Sequence, residues 1–220
     1  MAIDIYWGSG SPYAWRVLLA LECKRVAYRS HPLQMARQEH KSPQMLRMNP
    51  RGHVPVLKDG DYVCYESLAI LTYLDRKFPE PPFFGVTPEE AGVIMRVVCE
   101  YQAYAEPHIA AVIDAIFSDS LRGREAELEK TVETAAAESR VLESRLATAD
   151  FLAGSALSAA DIMVFPSMQI LMRALERREA QGMSAHFFPI DARFPALAAW
   201  IRRIESLPGY DRTYPPHWRG

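Results

Sequence analysis

Short β-type runs and amphipathic helical stretches alternate in the first third of the chain, and only helical patterns follow. Residues 3–7 are β-rich and stop at Gly8-Ser9-Gly10, which predicts a strand and a turn. Ser11-Pro12 then reads as a helix start, serine at the N-cap and proline at the first helical position. Trp15, Val17, Leu18 and Leu21 give that helix an apolar face reaching Lys24. Residues 26–30 predict a second strand, and residues 42–48 a short helix after a polar stretch. Residues 54–57 and 61–65, joined through Asp59-Gly60, predict a hairpin, and residues 67–78 another helix. The order β-α-β-α-β-β-α is an α/β layout.

The pattern changes at Phe78-Pro79-Glu80-Pro81-Pro82-Phe83, a proline-dense stretch and the best candidate for a domain boundary. Thr87-Pro88-Glu89-Glu90 combines an N-cap, a first-turn proline and a reciprocal capping glutamate. One long helix to Phe117 is expected after it, then a second over 124–146. Ser158-Ala159-Ala160-Asp161 repeats the capping logic before the apolar run 162–175, and 194–207 reads as a last amphipathic helix. No strand pattern of convincing length follows Tyr65. The expected division is therefore an α/β domain over 1–80, a linker over 81–87 and an all-helical domain over 88–220.

Composition narrows the class. Hydrophobic residues make up 49% of the 220, enough for packed cores, and a formal charge of -2 gives no reason to expect nucleic acid or an anionic membrane. Cys23, Cys64 and Cys99 lack metal-site or CxxC spacing, so no metal is expected. An odd count without a framework suits a reducing compartment. No basic segment followed by an apolar run opens the chain, and no apolar run approaches the roughly 18 residues of a membrane span. The expectation is a soluble cytoplasmic protein.

The chemistry concentrates between Asn49 and Leu74. Val54-Pro55 opens a strand with a residue that has no amide to pair, so it suits an edge or a cis turn, and the residue before it can face a ligand. Ser67 offers a hydroxyl and helix-start amides that together hold a carboxylate, while Glu66 can accept from an ammonium. A small zwitterionic peptide suits this better than a sugar, a nucleotide or a metal. Taken singly, each signal has a bland explanation. Ser11 is an ordinary N-cap, Glu66-Ser67 a helix start, and Lys41 a solvated charge. Ser158 and Asp161 are assigned to folding.

Four stretches change that balance: Ser11-Pro12-Tyr13-Ala14-Trp15-Arg16-Val17, Asn49-Pro50 to Val54-Pro55, Glu66-Ser67, and Gly154 to Asp161 with its Gly-x-x-x-Ser-x-x-Asp spacing. In this order they resemble the soluble glutathione transferase family over essentially the whole chain. The resemblance is to a serine-type member of bacterial type with zeta-like and tau-like features. It implies a thioredoxin-like βαβαββα domain followed by an all-helical domain, with glutathione as cosubstrate. Ser11 would stabilise the glutathione thiolate, and Ser9 is the alternative donor. Val54, before a cis Pro55, would pair its backbone with the cysteinyl part, and Glu66 and Ser67 would hold the γ-glutamyl end. Lys41 and His53 would serve the glycine carboxylate; His53 departs from the lysine or glutamine common in the family.

The resemblance also implies conjugation to small hydrophobic electrophiles in a pocket shared by both domains, by a C2 homodimer engaged in detoxification. Tyr13, Tyr104 and His108 are candidates for that pocket, although the Tyr104–His108 stripe equally suits core or dimer interface. Trp218 either covers the pocket or docks the tail. Two alternatives stand beside conjugation: a glutathione-dependent cis-trans isomerase, suggested by Ala14-Trp15-Arg16, and a non-catalytic binding module. Pro12 and Tyr13 in place of the Ser-Ser-Cys of zeta members weigh against the first, and the intact Ser11, Val54-Pro55 and Glu66-Ser67 against the second.

Overall fold

The computed structural model describes residues 2–118, 120, 123–177 and 180–219. The chain divides into two compact units, Met1–Phe83 with Ser206–Gly220, and Phe84–Glu205. The tail 206–220 thus groups with the first unit, whereas the expected division placed it in the helical domain.

The first unit runs β1 (Ile3–Trp7), α1 (Pro12–Cys23), β2 (Tyr28–Pro32), α2 (Pro43–Met48), β3 (Val56–Asp59), β4 (Tyr62–Tyr65) and α3 (Ser67–Lys77), with short 3-10 turns at Met35–Arg37 and Glu39–Lys41. The sheet order is β2-β1-β3-β4, with β1 parallel to β2 and antiparallel to β3. A parallel neighbour requires a crossover, and α1 supplies it. Ile3, Ile5, Val56 and Leu57 bury the sheet's apolar side chains, and α1 packs against α3, whose Ile70, Leu71 and Leu74 are fully buried.

Helix α1 is specified at both ends. The Ser11 hydroxyl oxygen accepts the Ala14 amide at 3.3 Å, and Pro12 fills a position whose missing N–H costs nothing. At the far end Arg25 adopts φ +54°, its amide donating to Glu22 and the Val26 amide to Leu21. This is a left-handed helix stop with arginine where glycine is usual. It consumes Val26, so β2 begins at Tyr28 instead of the expected 26, and ends at Pro32 on a sheet edge. Lys24, its side chain fully buried, donates to Asp75 Oδ1 (2.8 Å) and to the carbonyls of Phe78 (2.7 Å) and Pro81 (2.5 Å). That ties the end of α1 to the end of α3.

The second unit contains α4 (Pro88–Glu100), α5 (Glu106–Phe117), α6 (Glu125–Leu146), α7 (Ala159–Leu175), α8 (Gln181–Ser184), α9 (Ile190–Arg193) and α10 (Pro195–Glu205). Among the described residues no strand follows Tyr65. The single helix expected to reach Phe117 is interrupted by a π-helical turn at Tyr101–Ala105. Pro107 has no amide to donate back and its ring crowds the preceding turn; a widened turn accommodates both. Buried on nearly every side, α7 packs against α4 and α5. Asp161 anchors it, accepting from Leu152 N (2.8 Å), Ser158 N (2.9 Å), Ser158 Oγ (2.8 Å) and Trp200 Nε1 (2.9 Å). Burial pushes its carboxyl upward, and these four donors oppose that. The last elements, α11 (Tyr210–Thr213) and a 3-10 turn at Pro216–Trp218, belong to the first unit.

Asp161→Ala removes a helix cap worth about 1–2 kcal/mol and orphans buried donors at about 1–3 kcal/mol each. We expect urea unfolding to show a loss of at least about 3 kcal/mol.

Candidate functional site

A cleft of about 490 Å³ opens on the first unit. The start of α1 contributes Ser11 and Tyr13 to its wall, and the segments around α2 contribute Met35, His40, Asn49 and His53. Val54, Pro55, Glu66 and Ser67 complete it.

Ser11 is presented by a tight turn, its amide donating to the Gly8 carbonyl at 3.1 Å, with Gly10 at φ +85°, where a side chain would be strained. Because its oxygen accepts from Ala14, the hydroxyl keeps its own proton to donate. It also stands at the positive end of the α1 dipole.

The Val54-Pro55 peptide is cis. Pairing of β3 with β1 starts at Val56, opposite Tyr6, so the Val54 backbone lies beyond the ladder. Buried Asn49 shapes the loop before it, donating to the His53 carbonyl at 3.0 Å and accepting the Arg51 amide at 3.1 Å.

Helix α3 starts differently from its neighbours. Ser11, Ser42 and Thr87 each cap their helix with a side-chain oxygen, whereas Glu66 makes no such bond. The first-turn amides of α3 therefore have no side-chain partner from the N-cap and suit an anion. Glu66 itself sits at φ +70°, a region that costs a residue with a side chain about 1–3 kcal/mol. Ser67 is buried beside it and accepts from Arg16 Nη1 at 3.5 Å.

Arg16 is a functional candidate that the sequence reading missed. It is only 1% exposed, and its guanidinium lies 4.7 Å from the Tyr13 ring centroid. A permanent cation is thus fixed between the starts of α1 and α3. The available signal was its place three residues after Tyr13, on the same helical face.

His40 is a second omission. It lines the cleft, and its buried Nδ1 has no hydrogen-bond partner among the described residues. Lys41, the residue expected there, does not line the cleft and donates to the Arg51 carbonyl at 3.0 Å. Both lie on one 3-10 turn, where successive residues point about 120° apart, so a one-residue difference in phase decides which faces inward.

Ser9 lies outside the cleft lining, 2.7 Å from His217 Nδ1. Trp218 docks edge-on against Trp15 and does not line the cleft either. Tyr104, exposed on the π turn, and half-buried His108 on α5 belong to the second unit, and neither lines this cleft. The Cys23 thiol is pushed up to about 11 by burial and by Glu22, so it supplies no thiolate at neutral pH. Among the described residues no group of His, Cys, Asp and Glu is arranged to hold a metal, and no helix is long and apolar enough to cross a membrane.

Residues 7–82 match the glutathione S-transferase N-terminal domain, and residues 125–203 the glutathione S-transferase C-terminal domain. Glutathione S-transferase 4 of Zea mays is 35% identical over 217 residues, covering 96% of this chain and 92% of its own. The chain belongs to the glutathione S-transferase family. Glutathione S-transferase A of Pleuronectes platessa is 29% identical, covering 98% of this chain and 92% of its own. A glutathione S-transferase crystal structure from the Antarctic clam Laternula elliptica superposes with a TM-score of 0.82 at 27% identity, over 99% of this chain and 94% of that one. Membership makes the protein a transferase enzyme with glutathione as cosubstrate.

Glu66→Gly removes both the strain and the carboxylate. Relief of about 1–3 kcal/mol, less the roughly 0.5–1 kcal/mol entropic cost of glycine, leaves the variant about 1 kcal/mol more stable by urea unfolding.

Proposed function

We propose that this transferase conjugates the glutathione thiolate to small hydrophobic electrophiles, with Ser11 stabilising the thiolate. The observation that carries this reading is the Ser11 hydroxyl itself: its oxygen is occupied by the Ala14 amide, its proton is left to donate, and it lines the cleft at a positive helix end. Glutathione is a poor nucleophile while protonated, and a donor to its sulfur favours the thiolate. The buried Arg16 cation adds to the same effect.

In this reading the Val54 backbone pairs with the cysteinyl portion of glutathione. Glu66 accepts from the γ-glutamyl ammonium, and Ser67 with the open amides of α3 takes the γ-glutamyl carboxylate. His40 and His53 line the cleft where they would receive the glycine carboxylate, and Lys41 serves from the rim. Tyr13 and Met35 provide apolar surface for the electrophile on the first unit. On the second unit, Tyr104 and His108 are our candidates for electrophile contacts. A C2 homodimer and a cytoplasmic, detoxifying role fit the family.

Titrating the ultraviolet absorbance of bound glutathione thiolate tests the Ser11 assignment. In Ser11→Ala we expect the thiol pKa to rise by about one unit, equivalent to about 1.4 kcal/mol of lost thiolate stabilisation, with glutathione affinity changed less than about threefold. An unchanged thiol pKa overturns the assignment. For the glycine end, His40→Ala weakens glutathione binding by about fivefold to tenfold, and Lys41→Ala by less. Calorimetry on both variants reads the order, and the reverse order restores Lys41 as the principal contact.

A further inference from the structure

The turn that presents Ser11 is gripped from outside by the end of the chain. His217 Nδ1 lies 2.7 Å from the Ser9 hydroxyl, and a Cβ built on Gly10 would stand 3.1 Å from His217 Cε1. The imidazole therefore rests directly on the tip of the turn. From there the contacts continue along α1. The Trp218 ring is edge-on to Trp15 at 5.5 Å, and Tyr214 is edge-on to Trp15 at 5.9 Å. Trp15 Nε1 donates to Thr213 Oγ1 at 2.8 Å, in a buried position, and Arg212 Nε donates to Glu22 at 2.8 Å. The tail follows α1 from Glu22 back to the turn, and none of these tail residues lines the cleft.

Residues 8–10 read Gly-Ser-Gly, so Ser9 alone among them has a side chain. Glycines leave a backbone its greatest freedom, and only a side chain or close packing can remove that freedom. Here His217 takes the Ser9 hydroxyl and packs over Gly10, immediately before Ser11. We propose that His217 is a positioning residue: through Ser9 and Gly10 it holds the turn in the shape that aims the Ser11 hydroxyl at bound sulfur. The inference rests on Ser11 being the thiolate donor. It assigns the tail a part in the chemistry without any contact to the ligand. Because no tail residue among those described lines the cleft, losing this brace should leave glutathione affinity little changed.

The test uses the full chain with Ser9→Ala, His217→Ala and His217→Asn, the last able to place an amide group where Nδ1 stands. In Ser9→Ala and His217→Ala the thiol pKa of bound glutathione rises by about half a unit, and kcat/KM with an aryl halide at neutral pH falls about threefold, the size of one exposed hydrogen bond. The glutathione dissociation constant stays within about twofold. His217→Asn recovers most of both losses, and His217→Ala adds nothing in a Ser11→Ala background. If His217→Ala melts early, Ser9→Ala decides, because it leaves the aromatic packing of the tail in place. A native thiol pKa in both alanine variants, while Ser11→Ala is shifted, overturns this inference alone. An unshifted Ser11→Ala overturns the donor reading and this inference with it.

Discussion

Burial of α1 governs the first unit. Every residue from Ala14 to Glu22 is buried, and the helix is held at both ends. Lys24 ties its C-terminus to Asp75 and to two carbonyls beyond α3, and Thr213, Tyr214 and Trp218 close around Trp15. A helix so enclosed cannot shift without disturbing the sheet and α3 together. The position of Ser11 on the cleft wall is therefore inherited from the core, as suits a group that must be held by elements whose own packing is complete.

Around the cleft, positive potential is assembled almost without surface lysines. The starts of α1 and α3 face it, α3 without a side-chain cap, and Arg16 lies buried between them. The whole chain carries a formal charge of -2, so its net charge does not reveal this local field. Helix dipoles and one buried guanidinium act at short range, where solvent screening is weakest, and suit the cleft to an anionic ligand group.

Local chemistry was the part legible in the sequence. Ser11-Pro12, Thr87 to Glu90 and Ser158 to Asp161 announce helix starts through interactions spanning three or four residues, and all three helices begin there. Ser11, Tyr13, His53, Val54, Pro55, Glu66 and Ser67 could be picked out because proline, serine and acidic residues mark backbone junctions, and junctions are where this cleft is built. What escaped depends on other scales. Arg25 ends α1 in a conformation that glycine normally signals, so the following strand was placed two residues early. His40 and Lys41 differ only in the phase of a 3-10 turn. Arg16 lies on an apolar face where charge is not expected, and the return of residues 206–220 to α1 is a tertiary event with no local sign.

The π-helical turn at Tyr101–Ala105 has a consequence for comparing this protein with its relatives. Such a turn accommodates one more residue than an α-helix would between two fixed neighbours. A relative whose helix ran straight through the same region would be one residue shorter there. A gap then belongs inside a helix, the place where gap penalties are usually highest. An alignment that refuses it shifts the residues on one side of the turn by one position, pairing Tyr104 or His108 with neighbours that point about 100° away. Residue equivalences in this helix are safer taken from superposed backbones than from matched letters.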